Sequence, residues 1–324
     1  MLVTRSVVGK HAAPSQDIGM SRARPRSRPL PDLSVLLDSW TVHLRAERKS
    51  PETVDNYTTG VRQFLAWCAQ QDRPAVLDRA SVNEFVAAIL DRGVEAATAR
   101  ARQLAVRRFS AWCADEGEID YDDLLGLKPP KLDQKVVERL SEDQIRALVK
   151  ACSGTDFRDR RDEALVRFML EAIVRAGEVV AMTTADVDIV RGIAVVRRGK
   201  GGKGRPVPFG PQTGRAIDRY MRVRRSHRLA ADPPLWLGDR GKTLSYDGLY
   251  RTLKYRAELA GIPNFHPHVT RHTAAQRWLS AEGSEGGLMA VAGWTRRDML
   301  DRYTRATAAE RAAEESRRLN LGDL

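Results

Sequence analysis

A proline break, LKPPKLDQK at residues 127–135, is the feature that most constrains this chain. Proline fixes φ and removes a backbone donor, so two in succession end any helix or central strand. Long stretches of regular apolar periodicity lie on both sides of the break. Residues 128–138 therefore read as a linker between two separately cored units, and 324 residues are enough to build both. Two prolines and alternating charge suit a connection that lets the units close around a rod-like partner.

Before the break, residues 32–127 read as a four-helix bundle. Leu33, Leu36, Leu37, Trp40 and Leu44 recur at the 3.6-residue period. Ser50-Pro51 opens a second helix, with Ser as N-cap and Pro at N1. Its stripe is Val54, Tyr57, Val61, Phe64, Leu65 and Cys68. A capping box from Ser81 to Glu84 predicts a third helix, carrying Phe85, Val86 and Ile89. A fourth starts near Ala97, with Ala101, Ala105, Phe109, Trp112 and Cys113 inward.

After the break, residues 139–324 form the second unit. A capping box from Ser141 to Gln144 starts a helix with Ile145, Leu148, Val149 and Cys152 inward. The next helix buries Leu165, Phe168, Met169, Ala172 and Ile173, and is expected to end at Arg175-Ala176-Gly177. Val187, Ile189, Ile193, Val195 and Val196 then give two strands joined by the glycine-rich turn GKGGKGR (199–205). Helices return at about 211–230 and 245–260, and an Ala/Glu/Arg-rich tail (306–319) is helical. The fold class is mainly α with a small β-sheet.

The formal net charge is +12. A surplus of that size points to a polyanionic partner, most often nucleic acid; surface charge for solubility is the bland alternative. Residues 1–31 hold six Lys/Arg against one acid and cannot bury an apolar face, so they read as a disordered basic arm. Arg100, Arg102, Arg107 and Arg108 lie on the fourth helix, in a stretch (96–114) without acids. They suit a phosphate backbone, or else a solvated face. Cys68, Cys113 and Cys152 lack metal-ligand spacing and read as buried thiols in a reducing compartment. No apolar run is long enough to cross a membrane, and a cytoplasmic protein is expected.

The chemistry concentrates between His266 and Tyr303. HPHVTRHT (266–273) holds half of the six histidines together with Arg271, and AGWTRRDMLDRYTRAT (292–307) adds Trp294 and Tyr303. A phosphodiester attacked by a tyrosine needs fixed guanidiniums for the charge developing on its non-bridging oxygens. It needs a proton donor for the leaving oxygen. The resulting ester conserves bond energy, so rejoining needs no nucleotide. Such a site needs no metal, and the histidines lack i,i+4 metal spacing with a carboxylate between them. Read singly, each of these residues is more often structural; their order along the chain is more specific.

That order resembles the tyrosine recombinase (phage integrase, Xer-like) family, over nearly the whole chain. The family pattern is Arg, a hairpin Lys, His-x-x-Arg, His or Trp, then Tyr. Arg175 in AIVRAGEV matches the first Arg, with Glu178 at the family's acidic position. Lys200 matches the hairpin lysine, and Lys203 contends for the same role. His268-Val269-Thr270-Arg271 matches His-x-x-Arg, and His272-Thr273 is also typical. Trp294 stands where many members have His, and Tyr303, nine residues on, matches the nucleophile. Ala172-Ile173 replaces the usual Thr-Gly before the first Arg.

The resemblance implies a helical SAM-like core-binding domain and an α+β catalytic domain that form a C-shaped clamp on double-stranded DNA. It implies a site-specific recombinase working through a 3′-phosphotyrosine, without cofactor, as a tetramer on two DNA sites. Arg175, Arg271 and Trp294 would hold the phosphate, Lys200 would protonate the leaving 5′ oxygen, and His268 would assist. Arg100, Arg102, Arg107, Arg108, Lys203 and Arg205 are further DNA-binding candidates. The alternatives are a non-catalytic DNA-binding protein of the same fold and a type IB topoisomerase-like enzyme.

Overall fold

The computed structural model describes residues 31–132, 138–197, 204–239, 241–304 and 308–319. The expected basic arm, up to residue 30, and both hairpin lysines, Lys200 and Lys203, lie outside the described residues. The chain divides into two units, Met1–Gln134 and Lys135–Leu324.

The first unit packs four helices: α1 (Leu33–Ala46), α2 (Pro51–Gln70), α3 (Arg79–Asp91) and α4 (Ala96–Asp115). Ser50 caps α2 as its sequence predicts, accepting from the Thr53 N–H. Trp40 anchors the core, stacking on Tyr57 at 5.9 Å and tilting against Phe109 at 5.2 Å. Helices α2 and α4 approach closely because residue 60 is glycine. A Cβ there would lie 2.4 Å from the Ala105 Cβ, so no larger residue fits without separating the helices.

Two local expectations fail here. Helix α3 starts before the Ser81 box: Asp78 is its N-cap and accepts from the Ser81 N–H at 2.7 Å, while Glu84 pairs with Arg73. The ionised carboxylate is the stronger acceptor for free helix-end donors. Ala101 is exposed, and Ala99 with Val106 takes its place inside.

The second unit is built around α6 (Phe157–Glu171), which packs on α8 (Pro211–Arg224) and α10 (Pro267–Ser280). Helix α5 (Glu142–Lys150) starts with the predicted Ser141–Gln144 capping box. A three-stranded antiparallel sheet runs in the order β1 (Val187–Asp188), β2 (Ile193–Val196), β3 (Arg205–Pro208). Val196 pairs with Arg205 at the hairpin end of the ladder. Sequence alone predicted two strands; the two-residue β1 is too short to show a period.

Helices α7 (Ala176–Val180), α9 (Tyr246–Leu259), α11 (Glu285–Ala292), α12 (Asp298–Thr304) and α13 (Ala308–Leu319), with a 3-10 turn at Thr184–Asp186, complete the described elements. A large core surrounds α6, and a smaller one joins Ile173, Ala274, Leu279, Leu288, Trp294, Leu300 and Tyr303. The three cysteines are free and buried. Burial pushes the Cys113 and Cys152 thiols up to about 12, so neither is a thiolate at neutral pH.

The expected helix stop at Gly177 is corrected. Helix α6 ends at Glu171, and the chain turns at Ile173, whose φ is 53°. Gly177 instead lies inside α7. The turn falls at the position where the resembling family carries glycine.

Candidate active site

Helix α10 supplies three groups at helical spacing. His266 is its N-cap and Pro267 occupies the first turn, which directs the following residues along two faces. His268 and His272, one turn apart, meet edge to face with ring centroids 4.5 Å apart. Arg271 lies on the buried side at 2% exposure. Its guanidinium donates to the Ile173 carbonyl and, at 2.7 Å, to the Ala292 carbonyl. It also lies over the Trp294 ring, 5.6 Å from the centroid.

Arg175 comes from the turn between α6 and α7. Its backbone N–H donates to one Glu178 oxygen at 2.8 Å and its guanidinium to the other at 2.9 Å. Glu178 accepts a second guanidinium from strand β3: Arg205 binds both of its oxygens, at 3.0 and 2.8 Å. Burial alone would raise the Glu178 carboxyl; the hydrogen bonds from Arg205 and Arg175 and their charges outweigh it and hold the group below its ordinary value of 4.5. The carboxylate is ionised and orients two cations.

Arg205 departs from its expected role. It is buried at 8% exposure, and its remaining Nε–H donates to the Val291 carbonyl at 2.6 Å. A guanidinium so committed is an internal tie between β3, α7 and the end of α11, not a surface DNA contact. Helix α11 ends on Gly293 at φ 66°, in the left-handed region. A Cβ at Gly293 would lie 3.1 Å from Cδ and Nε of Arg205.

The turn after Gly293 delivers Trp294, whose backbone N–H returns to the Met289 carbonyl at 2.9 Å. Trp294 is 6% exposed, and its indole Nε1 has no hydrogen-bond partner among the described residues. Tyr303 on α12 stacks on Trp294, with centroids 5.1 Å apart and planes 21° apart. Tyr303 is 3% exposed and its hydroxyl is hydrogen-bonded to Nδ1 of His272. Above these groups lies a groove of about 410 Å³ lined by Arg175, Ala176, Gly177, Glu178, Tyr246, Pro267 and His268.

Among the described residues the cluster is strongly cationic. Arg175, Arg205 and Arg271 surround the single carboxylate of Glu178. Burial, then the charge of Arg175, pushes the Arg271 guanidinium down to about 10. It remains protonated at neutral pH, at a cost that an incoming anion offsets. With an unpaired indole N–H and a phenol alongside, the arrangement is suited to holding a phosphodiester and presenting it to an oxygen nucleophile.

Arg175, Glu178, Arg271, Trp294 and Tyr303 are thus brought into one cluster, and His268 lines the groove beside it. On α4, Arg100 and Arg108 are exposed, whereas Arg102 turns towards the Asn56 carbonyl on α2 at 3.4 Å. The Nε atoms of Arg102 and Arg107 are buried without a partner among the described residues. Sequence reading missed the contact of His272 with the phenol, the inward turn of Arg205, and Tyr246 in the groove. Of these, only His272 carried a signal, its i+4 spacing from His268. No group of three or more metal-binding side chains lies together among the described residues, and no described helix is long and apolar enough to cross a membrane.

The profile of the phage integrase family matches residues 138–310, and that of the phage integrase N-terminal SAM-like domain matches residues 37–117. The fold and the cluster define an enzyme of DNA strand exchange. The chain belongs to the phage integrase family and is a site-specific tyrosine recombinase. It is similar to tyrosine recombinase XerC of Xylella fastidiosa, at 30% identity over 81% of this chain and 88% of the relative. XerC of Pseudomonas fluorescens is 28% identical over 76% of this chain and 82% of its own. Among solved structures, XerH recombinase bound to palindromic difH in a post-cleavage complex shares the fold, with a TM-score of 0.70 at 16% identity over 86% of this chain and 83% of that one.

Proposed function

We propose that Tyr303 is the nucleophile that cuts double-stranded DNA and that Arg175, Arg271 and Trp294 hold the scissile phosphate. The attack forms a 3′-phosphotyrosine and frees a 5′ hydroxyl. Lys200 gives the leaving 5′ oxygen its proton, with Lys203 the second candidate for that step, and His268 steadies the phosphate from the groove. Glu178 and Arg205 act behind these groups, fixing the guanidinium of Arg175. A 5′ hydroxyl from a partner strand then attacks the phosphotyrosine and reseals the DNA.

One observation carries this reading. Arg175, Arg271, Trp294 and Tyr303 come from four different segments and meet in one cluster, buried except for the half-buried Arg175, that has more positive than negative charge. A structural cluster would balance its charges, whereas a phosphate site leaves room for the ligand's. Trp294 offers a donor but cannot carry a proton at neutral pH, so its part is charge stabilisation.

Residues 32–127 form the DNA-binding domain in this reading, residues 128–138 the linker, and residues 139–324 the catalytic domain. Arg100, Arg107 and Arg108 contact the DNA backbone. The working assembly is a tetramer on two DNA sites, formed with copies of this chain or with related recombinases. The enzyme acts in the cytoplasm, where its free cysteines stay reduced.

The test uses the full chain and its Tyr303→Phe variant with supercoiled DNA carrying the sequence that flanks its own gene. EDTA is present and SDS stops the reaction. A phosphotyrosyl adduct mapped to Tyr303 and absent from the variant supports the assignment. Cleavage by Tyr303→Phe refutes it.

A further inference from the structure

Helix α8 turns one face inward, with Ala216, Ile217 and Tyr220 buried. Its outward face carries Arg215, Arg219 and Arg222, all exposed. Their spacing of four and then three residues sets them in one row along the helix. Beside that row lie Arg160 and Arg167 of α6, on which α8 packs. Glu163 of α6 sits among them. Arg167 donates to one of its oxygens at 2.9 Å, and Arg160 and Arg219 approach the other at 3.8 and 3.9 Å. Asp218 pairs with Arg222 at 3.2 Å. Glu171, the next acid along α6, is taken up by the start of α8, where the Gly210 N–H and the Thr213 hydroxyl donate to it. Arg215 has no ion pair among the described residues. Five guanidiniums thus share two carboxylates, and the ridge keeps a surplus of positive charge.

This ridge is separate from the catalytic cluster: no residue of α6 or α8 lines the groove beside Arg175 and His268. It is also unlike a protein-docking face. Among the described residues, neither α6 nor α8 exposes a large apolar side chain. A protein interface is built around a desolvated apolar or aromatic core, whereas a DNA interface is polar and strongly positive. Every cation in the ridge is arginine, whose planar fork matches a phosphate. The row from Arg215 to Arg222 extends about 10 Å at ~1.5 Å per residue. That is the axial length of about three nucleotides of one strand at ~3.4 Å each.

We propose that the α6–α8 ridge binds the phosphate backbone of a second DNA segment, distinct from the duplex held at the catalytic cluster. Arg215, Arg219 and Arg222 make the phosphate contacts, and Arg160 and Arg167 strengthen the local positive field. The chain is a DNA recombinase whichever residue is its nucleophile, so the inference does not rest on the Tyr303 assignment.

The test compares the full chain with its triple variant Arg215→Gln, Arg219→Gln, Arg222→Gln. Native mass spectrometry counts the short duplexes of unrelated sequence bound per chain, and a salt titration gives the slope of log affinity against log salt. The wild type should take up one duplex more than the triple variant. The slope of the variant should be shallower by about three, one for each lost phosphate contact. The lysine counterpart, Arg215→Lys, Arg219→Lys, Arg222→Lys, keeps the charge and should keep the extra duplex.

Equal counts and slopes in the wild type and the glutamine variant would overturn the inference. So would loss of the extra duplex from the lysine variant, because charge would then not be what holds the DNA. Displacement of the extra duplex by poly-L-glutamate at a lower concentration of charge than by unlabelled duplex would also overturn it, assigning the ridge to an acidic protein.

Discussion

At the scale of single residues, the site depends on side chains whose backbone setting is unusual. Ile173 is fully buried yet holds φ at 53°, a conformation that crowds a β-branched side chain. The position matters because its carbonyl receives Arg271 and its chain leads into Arg175. Ile173→Gly would relieve about 1–2 kcal/mol of left-handed strain but remove a core side chain worth about 2–5 kcal/mol. Burial wins, so the variant should melt lower, as thermal unfolding would reveal; an unchanged or higher melting temperature would mean that strain dominates. The motif made Arg175, His268, Arg271, Trp294 and Tyr303 legible in the sequence, because each is a distinctive residue type in a fixed order. Arg205 was not legible: a basic residue at a hairpin end looks the same in sequence whether it faces solvent or a buried carboxylate.

At the scale of elements, caps and breaks position the chemistry. Ser50 and Ser141 were readable as helix starts because each combines a capping side chain with a confirming neighbour, Pro51 or Gln144. Ser81 misled because Asp78, one turn earlier, offered a stronger acceptor. The α6 terminus misled because glycine usually marks a left-handed stop, and here Ile173 makes the turn while Gly177 sits in a helix. Gly293 follows the usual rule, and it also leaves room for Arg205. Gly293→Ala should therefore lose about 1 kcal/mol or more from backbone strain and crowding. Because the turn carries Trp294, adduct formation should fall as well. Chemical denaturation beside the cleavage assay checks both, and a variant matching wild type in each would discount the turn.

At the scale of the whole molecule, the two units divide between Gln134 and Lys135, a few residues after the proline pair. The stop and restart of apolar periodicity around residues 128–138 is what suggests a linker there. The small second core was not visible, since it gathers residues from Ile173 to Tyr303 that no local pattern relates. The net charge of +12 predicts DNA binding that weakens steeply with salt. With about 6–10 phosphate contacts, affinity should drop about 10³–10⁵-fold between roughly 50 and 200 mM salt. A titration of binding against ionic strength checks this, and a flat line would contradict it.

The surplus of guanidiniums around Glu178 has a consequence for the lifetime of the protein. On the proposed reading, the guanidiniums repel one another when no anion is bound, so the protein should be less stable without one. Bound DNA should then raise stability by mass action. Inorganic phosphate or sulfate should mimic part of this effect, raising the melting temperature of the wild type more than that of an Arg271→Ala variant. If the cluster holds phosphate as proposed, bound DNA should also slow limited proteolysis of the chain, and equal digestion with and without DNA would contradict this.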